Sequence, residues 1–181
     1  MADADSVTID AHKWLSVPMG AGMLITPHSD LLLETYRVAT AYMPTQVDAT
    51  IDPYTSSNQW SRRFIGLKLF LTLLTAGRSG YAEQLEHDVA LADQLRQALT
   101  ADRWVVLNRT PFPVVCFGDP SELGDANHHQ RIVDRIVESG LAWISTTDLA
   151  GQPCIRACII SHRTTPTDID ALVQLLGDAR P

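Results

Sequence analysis

Basic residues are in deficit in this 181-residue chain: 14 Lys and Arg stand against 21 Asp and Glu, a net charge of −7. A duplex nucleic-acid binder needs a basic face to neutralise phosphates, and a polybasic membrane patch needs the same excess, so both classes are excluded. Long apolar runs are absent, and nothing approaches the roughly 20 residues that span a bilayer. The opening MADADSV has neither a basic nor an apolar region of the kind that directs secretion. Cysteine is scarce: Cys116, Cys154 and Cys158 are odd in number and not at zinc-ligand spacing, and no other cluster has metal-ligand spacing. Internal repeats and low-complexity tracts are missing too. What remains, 45% hydrophobic and 19% charged, is the composition of a folded domain. The expectation is a soluble, cytoplasmic protein.

Residues 5–9 and 21–26 read as short apolar strands of the type buried on both faces of an α/β sheet. A short helix follows over about 29–37. Residues 40–58 hold two prolines and many Thr, Ser and Asp without a sustained period, and a loop of that length in a compact domain is functional or mobile. Helical spacing returns at 59–76, where Phe64, Leu67, Leu71 and Leu74 form a stripe and the arginines fall in the first turn. Gly77 and Gly80 break the chain before a long amphipathic helix over 81–100, with Leu85, Val89, Ala92, Leu95 and Leu99 on one face. The rest alternates strands (104–108, 113–118, 141–146, 154–161) with helices (about 127–139 and 166–177), an α+β layer of helices on an antiparallel sheet. Thr165-Pro166-Thr167-Asp168 has the makings of a helix start. Three segments result: an α/β remnant over 1–58, connecting helices over 59–101, and a small C-terminal domain over 102–181.

The densest chemistry is Asp10-Ala11-His12-Lys13-Trp14, in the turn after the first strand. A lysine in an apolar wall loses charge by desolvation, and the neutral amine attacks carbonyls. An unremarkable surface turn is the competing reading. On the last strand, period 2 sets Cys154, Arg156 and Cys158 on one face, and a guanidinium buried there needs an acid such as Asp148 or Asp168. The cysteines read as packing residues, and His128-His129 as a solvated helix start.

The run Ala4-Asp5-Ser6-Val7 through Asp10-Ala11-His12-Lys13-Trp14-Leu15-Ser16-Val17-Pro18 resembles the Schiff-base segment of the group II pyridoxal-phosphate-dependent amino-acid decarboxylases. Ser61-Arg62-Arg63-Phe64-Ile65-Gly66-Leu67-Lys68 is similar to that family's Arg-Arg-Phe helix start. Ile155-Arg156-Ala157, with Ser161 and Thr164 to Asp170, is similar to its C-terminal strand and helix. The resemblance implies the aspartate-aminotransferase-type fold (fold type I): the end of the large parallel-sheet domain, then an α+β small domain. It implies pyridoxal 5'-phosphate as cofactor and decarboxylation of an L-amino acid, with an aminotransferase or carbon–carbon lyase of the same fold as alternatives. It implies Lys13 as the residue that condenses with the cofactor aldehyde and His12 beside the phosphate. Asp10 stands near the phosphate where many relatives carry asparagine. Tyr42, 29 residues after Lys13, matches the loop tyrosine that supplies a proton, and Arg156 matches an arginine that meets the substrate carboxylate. Family members are dimers. In that family the acid, the ring-stacking group and most phosphate ligands precede the lysine by many residues, so this chain reads as a C-terminal portion, inactive alone. A missing N-terminal half, or an inert fragment acting by association, belongs to that expectation.

Overall fold

The computed structural model describes residues 3–38, 42 and 52–180. The chain divides into two compact units, Met1–Gly77 and Arg78–Pro181. The break falls at Gly77, whose φ of 65° and ψ of 178° interrupt helix α2 (Ile65–Ala101). Glycine alone adopts that conformation without a Cβ penalty, so a backbone requirement at one residue separates two helical stretches.

In the first unit, β1 (Val7–Asp10) and β2 (Gly22–Ile25) pair antiparallel, Val7 opposite Ile25 and Asp10 opposite Gly22. Their side chains are half-buried or exposed rather than enclosed on both faces, because the sheet has only these two strands among the described residues. Helix α1 (Ser29–Tyr36) buries no residue. A 3-10 turn, Pro53–Ser56, occupies part of the segment expected to be irregular, and residues 40, 41 and 43–51 of it lie outside the described residues. Arg62 and Arg63 precede α2 instead of occupying its first turn, and Arg62 Nη2 donates to the Pro53 carbonyl. That placement removes the dipole conflict expected of arginines at a helix N-terminus. The buried cluster here is small: Ala11, Val17 and Ala21, with Leu15, Met23, Ile65 and Leu69 against it.

The second unit carries the main core. Strands β3 (Val105–Val106), β4 (Val114–Gly118), β5 (Ser145–Leu149) and β6 (Gln152–Cys158) form one antiparallel sheet in the order β3-β4-β6-β5. Helices α3 (Ala126–Glu138) and α4 (Pro166–Ala179), with the later part of α2, bury Leu91, Leu95, Leu99, Ile132, Ile136 and Leu176 against Val115, Phe117 and Ile155. Trp104 meets Phe117 edge to face at 5.4 Å. Both helix starts are capped locally. Asp125 accepts from the Asn127 and His128 amides, and Thr165 forms a reciprocal capping box with Asp168.

Two sequence expectations shift in this unit. The fifth strand is Ser145–Leu149, not 141–146, because the two-residue turn at Ala150-Gly151 (φ 53° and 85°) fixes the register from the other end. Leu141 and Trp143 therefore lie outside the strand, 75% and 79% exposed. The paired histidines are also not solvated: His128 is 4% and His129 0% exposed. They face the end of β4, where His129 Nε2 accepts from the Asp119 amide at 3.1 Å and His128 Nε2 lies 3.2 Å from Asp119 Oδ2.

Candidate active site

The turn after β1 is pinned by its own backbone. The Ala11 amide donates to Ala21 O at 2.8 Å, the Lys13 amide to Asp10 O at 3.0 Å, and the Ser16 amide to Lys13 O at 2.9 Å. Val17 N closes the loop onto Ala11 O at 3.1 Å. Ser16 and Gly20 take left-handed φ of 52° and 86° to make the reversals. Lys13 therefore rises from two fused turns, with a fixed base and a free stem.

Asp10, His12 and Lys13 come together here. Lys13 Nζ lies 2.7 Å from Asp10 Oδ2, and the two side chains are 61% and 49% exposed. The hydrogen bond and charge of Lys13 hold the Asp10 carboxyl below its ordinary pKa. His12 Nδ1 is 3.2 Å from the Ala21 carbonyl, so it carries the proton there and Nε2 is left to accept. The apolar wall expected around Lys13 is not present among the described residues: solvent and a carboxylate surround the amine instead. Its neighbours Ala11, Val17 and Ala21 turn their small side chains into the unit's own cluster.

The other expected residues stand apart. Tyr42 is 76% exposed, and among the described residues no hydrogen bond, ion pair or ring contact joins it to His12 or Lys13. Arg156 is exposed on β6, opposite Cys116 on one side and Ser145 on the other. Neither Asp148 nor Asp168 pairs with it: Asp148 accepts from the Gly151 amide, and Asp168 is engaged by Thr165. The guanidinium escapes burial because its face of the sheet is open at that position. Cys154 packs as expected, 0% exposed, and burial with Cys116 beside it pushes its thiol up to about 11.

The sequence reading missed a buried polar group at the end of β4. Burial pushes the Asp119 carboxyl up, but bonds from Ser121 and His128 and the charge of Arg180 outweigh it and hold the group below its ordinary value. Arg180 Nε is 3.4 Å from Asp119 Oδ2, and its guanidinium stacks 4.0 Å over Trp104. Asp119-Pro120-Ser121 was the available signal, since an Asp two residues before a Ser suits a side-chain-closed turn, and Ser121 N and Oγ both donate to Asp119 Oδ1.

The fold is shared with solved amino-acid decarboxylases. A rice decarboxylase described as "TDC with PLP and tryptamine" superposes with a TM-score of 0.88 at 21% identity, over 98% of this chain and 39% of that one. In sequence, residues 1–118 match the pyridoxal-dependent decarboxylase conserved domain, and the chain belongs to that family. An aromatic-L-amino-acid decarboxylase of Bacillus atrophaeus is 32% identical over 175 residues, which is 92% of this chain and 36% of that protein. A 4-hydroxyphenylacetaldehyde synthase of Rhodiola rosea is 25% identical over 96% of this chain and 36% of its own length. The chain thus spans a little over a third of the length of these relatives.

Proposed function

We propose that this chain is the lysine-bearing portion of a pyridoxal-phosphate-dependent L-amino-acid decarboxylase, with Lys13 as the covalent anchor. The observation that carries the reading is the Asp10–Lys13 turn: a primary amine and an imidazole on a base held by four backbone hydrogen bonds, inside the segment that matches the family. The residues present fit the aldehyde end of the cofactor. Among the described residues they do not enclose the amine, since Lys13 is 61% exposed. Residues from the length of the relatives that this chain does not span would complete the cavity, so the chain alone is inactive.

Pyridoxal phosphate, once held through its aldehyde, supplies an electron sink that lets a carboxylate leave an amino acid as carbon dioxide. This chain contributes the holding and the proton handling. Asp10 holds the Lys13 side chain at the turn and would have to release it for Lys13 to hold the cofactor aldehyde, because only the neutral amine is nucleophilic. His12, with Nδ1 donating to Ala21 O, would present Nε2 as an acceptor for a proton, or as a donor to a phosphate oxygen once that nitrogen is itself protonated. Tyr42 Oη would be the acid that supplies a proton to the substrate carbon once the carboxylate had left. The exposed Arg156 guanidinium, with no acid on it among the described residues, is a carboxylate-binding cation of the planar, bidentate kind. The family's dimeric assembly belongs to the same proposal.

The chain contains two lysines, Lys13 and Lys68, which makes the test sharp. Pyridoxal phosphate is added, the adduct is reduced with borohydride, and the modified peptides are mapped by mass. The expected result is a reduced adduct at Lys13 well in excess of Lys68, whose amine donates to Met19 O. Equal labelling of the two lysines removes the anchor role from Lys13. In the completed enzyme, Tyr42→Phe is expected to divert product from amine towards abortive products or, with dissolved dioxygen as the oxidant, a carbonyl compound; an unchanged product ratio strips Tyr42 of its role.

A further inference from the structure

Strand β5 is an edge. Among the described residues the sheet order leaves one side of Ser145–Leu149 unpaired, and the other side is bonded to β6. The phase of that pairing follows from the turn. In a two-residue hairpin the pair flanking the turn exchanges both hydrogen bonds, and bonded pairs then alternate with unbonded ones. Leu149, Thr147 and Ser145 therefore bond inward to Gln152, Cys154 and Arg156. Asp148 and Thr146 point their amides and carbonyls outward. Pro153, opposite Asp148, has no N–H to give, which fits the same phase. Among the described residues no other main-chain group bonds to Thr146 or Asp148.

A groove of about 320 Å³ runs between this edge and α3. Val133 and Ile144, each 4% exposed, form its floor with Val137 at the rim. Asp134 and Glu138 line the helix side, and Asp148 lies further along the strand. No lining residue is basic. Of the two arginines on this helix, exposed Arg131 does not line the groove, and Arg135 is drawn away, donating from Nη1 to Ala179 O at 2.9 Å. Exposed Leu141 and Trp143 extend the apolar surface just before the strand.

We propose that the β5 edge and this groove are a docking site for an extended, basic segment of another protein chain, which adds to the sheet as a fifth strand. The outward amides and carbonyls of Thr146 and Asp148 supply main-chain pairing. The floor takes one apolar side chain, and basic side chains two residues to either side meet Asp134, Glu138 and Asp148. This is strand addition, in which the backbone gives affinity and alternate side chains give specificity. A second copy is the weaker occupant: β5-to-β5 pairing would gather two sets of these acids on chains that each carry −7.

The test is a titration of the ¹⁵N-labelled full chain with a capped heptapeptide holding Val at its centre and Lys two residues to either side. Expected are saturable amide shifts confined to β5 and the facing side of α3. Replacing the Lys residues with Glu is expected to weaken binding at least about tenfold, as is the paired variant Asp134→Lys, Glu138→Lys at two exposed positions. Thr146→Pro removes an outward N–H without touching a bond to β6 and is expected to weaken binding by a similar factor. Absence of shifts at millimolar peptide, shifts elsewhere, or equal binding of the Glu peptide overturns the proposal. Concentration-dependent dimerisation in sedimentation that Thr146→Pro abolishes also overturns it, in favour of a second copy.

Discussion

His129 shows how a single side chain is committed to one protonation state by its surroundings. Its ring is fully buried, Nε2 accepts the Asp119 amide, and Nδ1 has no hydrogen-bond partner among the described residues. Burial first, and the neighbouring His128 second, hold its pKa below 6.5, while Asp119 and Asp125 oppose this. A histidine with a depressed folded pKa stays neutral as the unfolded chain takes up a proton. Stability is therefore full above pH 6.5 and falls as the pH drops below it. Asp119, held below 3.8, adds a second loss at lower pH as it too is protonated. Denaturant unfolding is expected to show the midpoint decreasing from pH 7 to about pH 5, and His129→Gln, which keeps an acceptor for the Asp119 amide, should flatten that slope. A wild-type midpoint that is flat across this range contradicts the assignment. Cys154 offers an independent check, since a thiol raised to about 11 is little ionised at pH 8. The half-buried Cys158 is expected to react with iodoacetamide before it. The burial of His128 and His129 was not legible from sequence. It depends on Gly118, where an added Cβ would lie 2.8 Å from Leu123 Cδ2 and 3.1 Å from His129 Nε2.

Among the elements, α2 carries the sharpest sequence rule. Gly77 sits at φ 65° and ψ 178°, a region that costs other residues about 1–3 kcal/mol. Nothing lies within 4 Å of a Cβ built there, so the cost of Gly77→Ala is conformational and not steric. Thermal unfolding of Gly77→Ala is expected to show a loss of about that size; an unchanged or raised Tm would mean that the break is not held by its backbone. The helix cap at Thr165 was legible because it is a contact within three residues, set by local chemistry alone, whereas the equally local cap at Asp125 went unread. The ends of β5 were not, because the hydrophobic run 141–146 competes with a turn whose register is fixed by Ala150 and Gly151. Tertiary pairing overrode the apolar pattern and left Trp143 outside the strand.

At the scale of the whole molecule, the two units differ in how much apolar surface they bury. The second holds Phe117, Leu95, Leu99, Ile132, Ile136, Ile155 and Leu176 at under 2% exposure. The first centres on Ala11, Val17 and Ala21, while Phe64, Phe70 and Leu74 are 78%, 60% and 69% exposed. Burying a large aliphatic or aromatic side chain contributes about 1.5–3 kcal/mol, so stability resides in the second unit. Hydrogen exchange is expected to protect β4 and β6 far more strongly than β1 and β2. Uniform protection from residue 5 onward in a monomer would contradict that division. Leu95→Ala is expected to cost about 2–5 kcal/mol by denaturant unfolding, because the cavity lies in a packed core. A loss well under 1 kcal/mol would show that this core is loosely packed.

The sequence alone determined the family, the lysine turn, the capped start of α4 and the break at Gly77, because each is written in residues adjacent along the chain. Only the tertiary structure decided that Lys13 is exposed, that Arg156 faces outward, and that His128 and His129 are sealed at the end of β4. Exposure is a property of what packs across from a residue, and no short run of sequence specifies that.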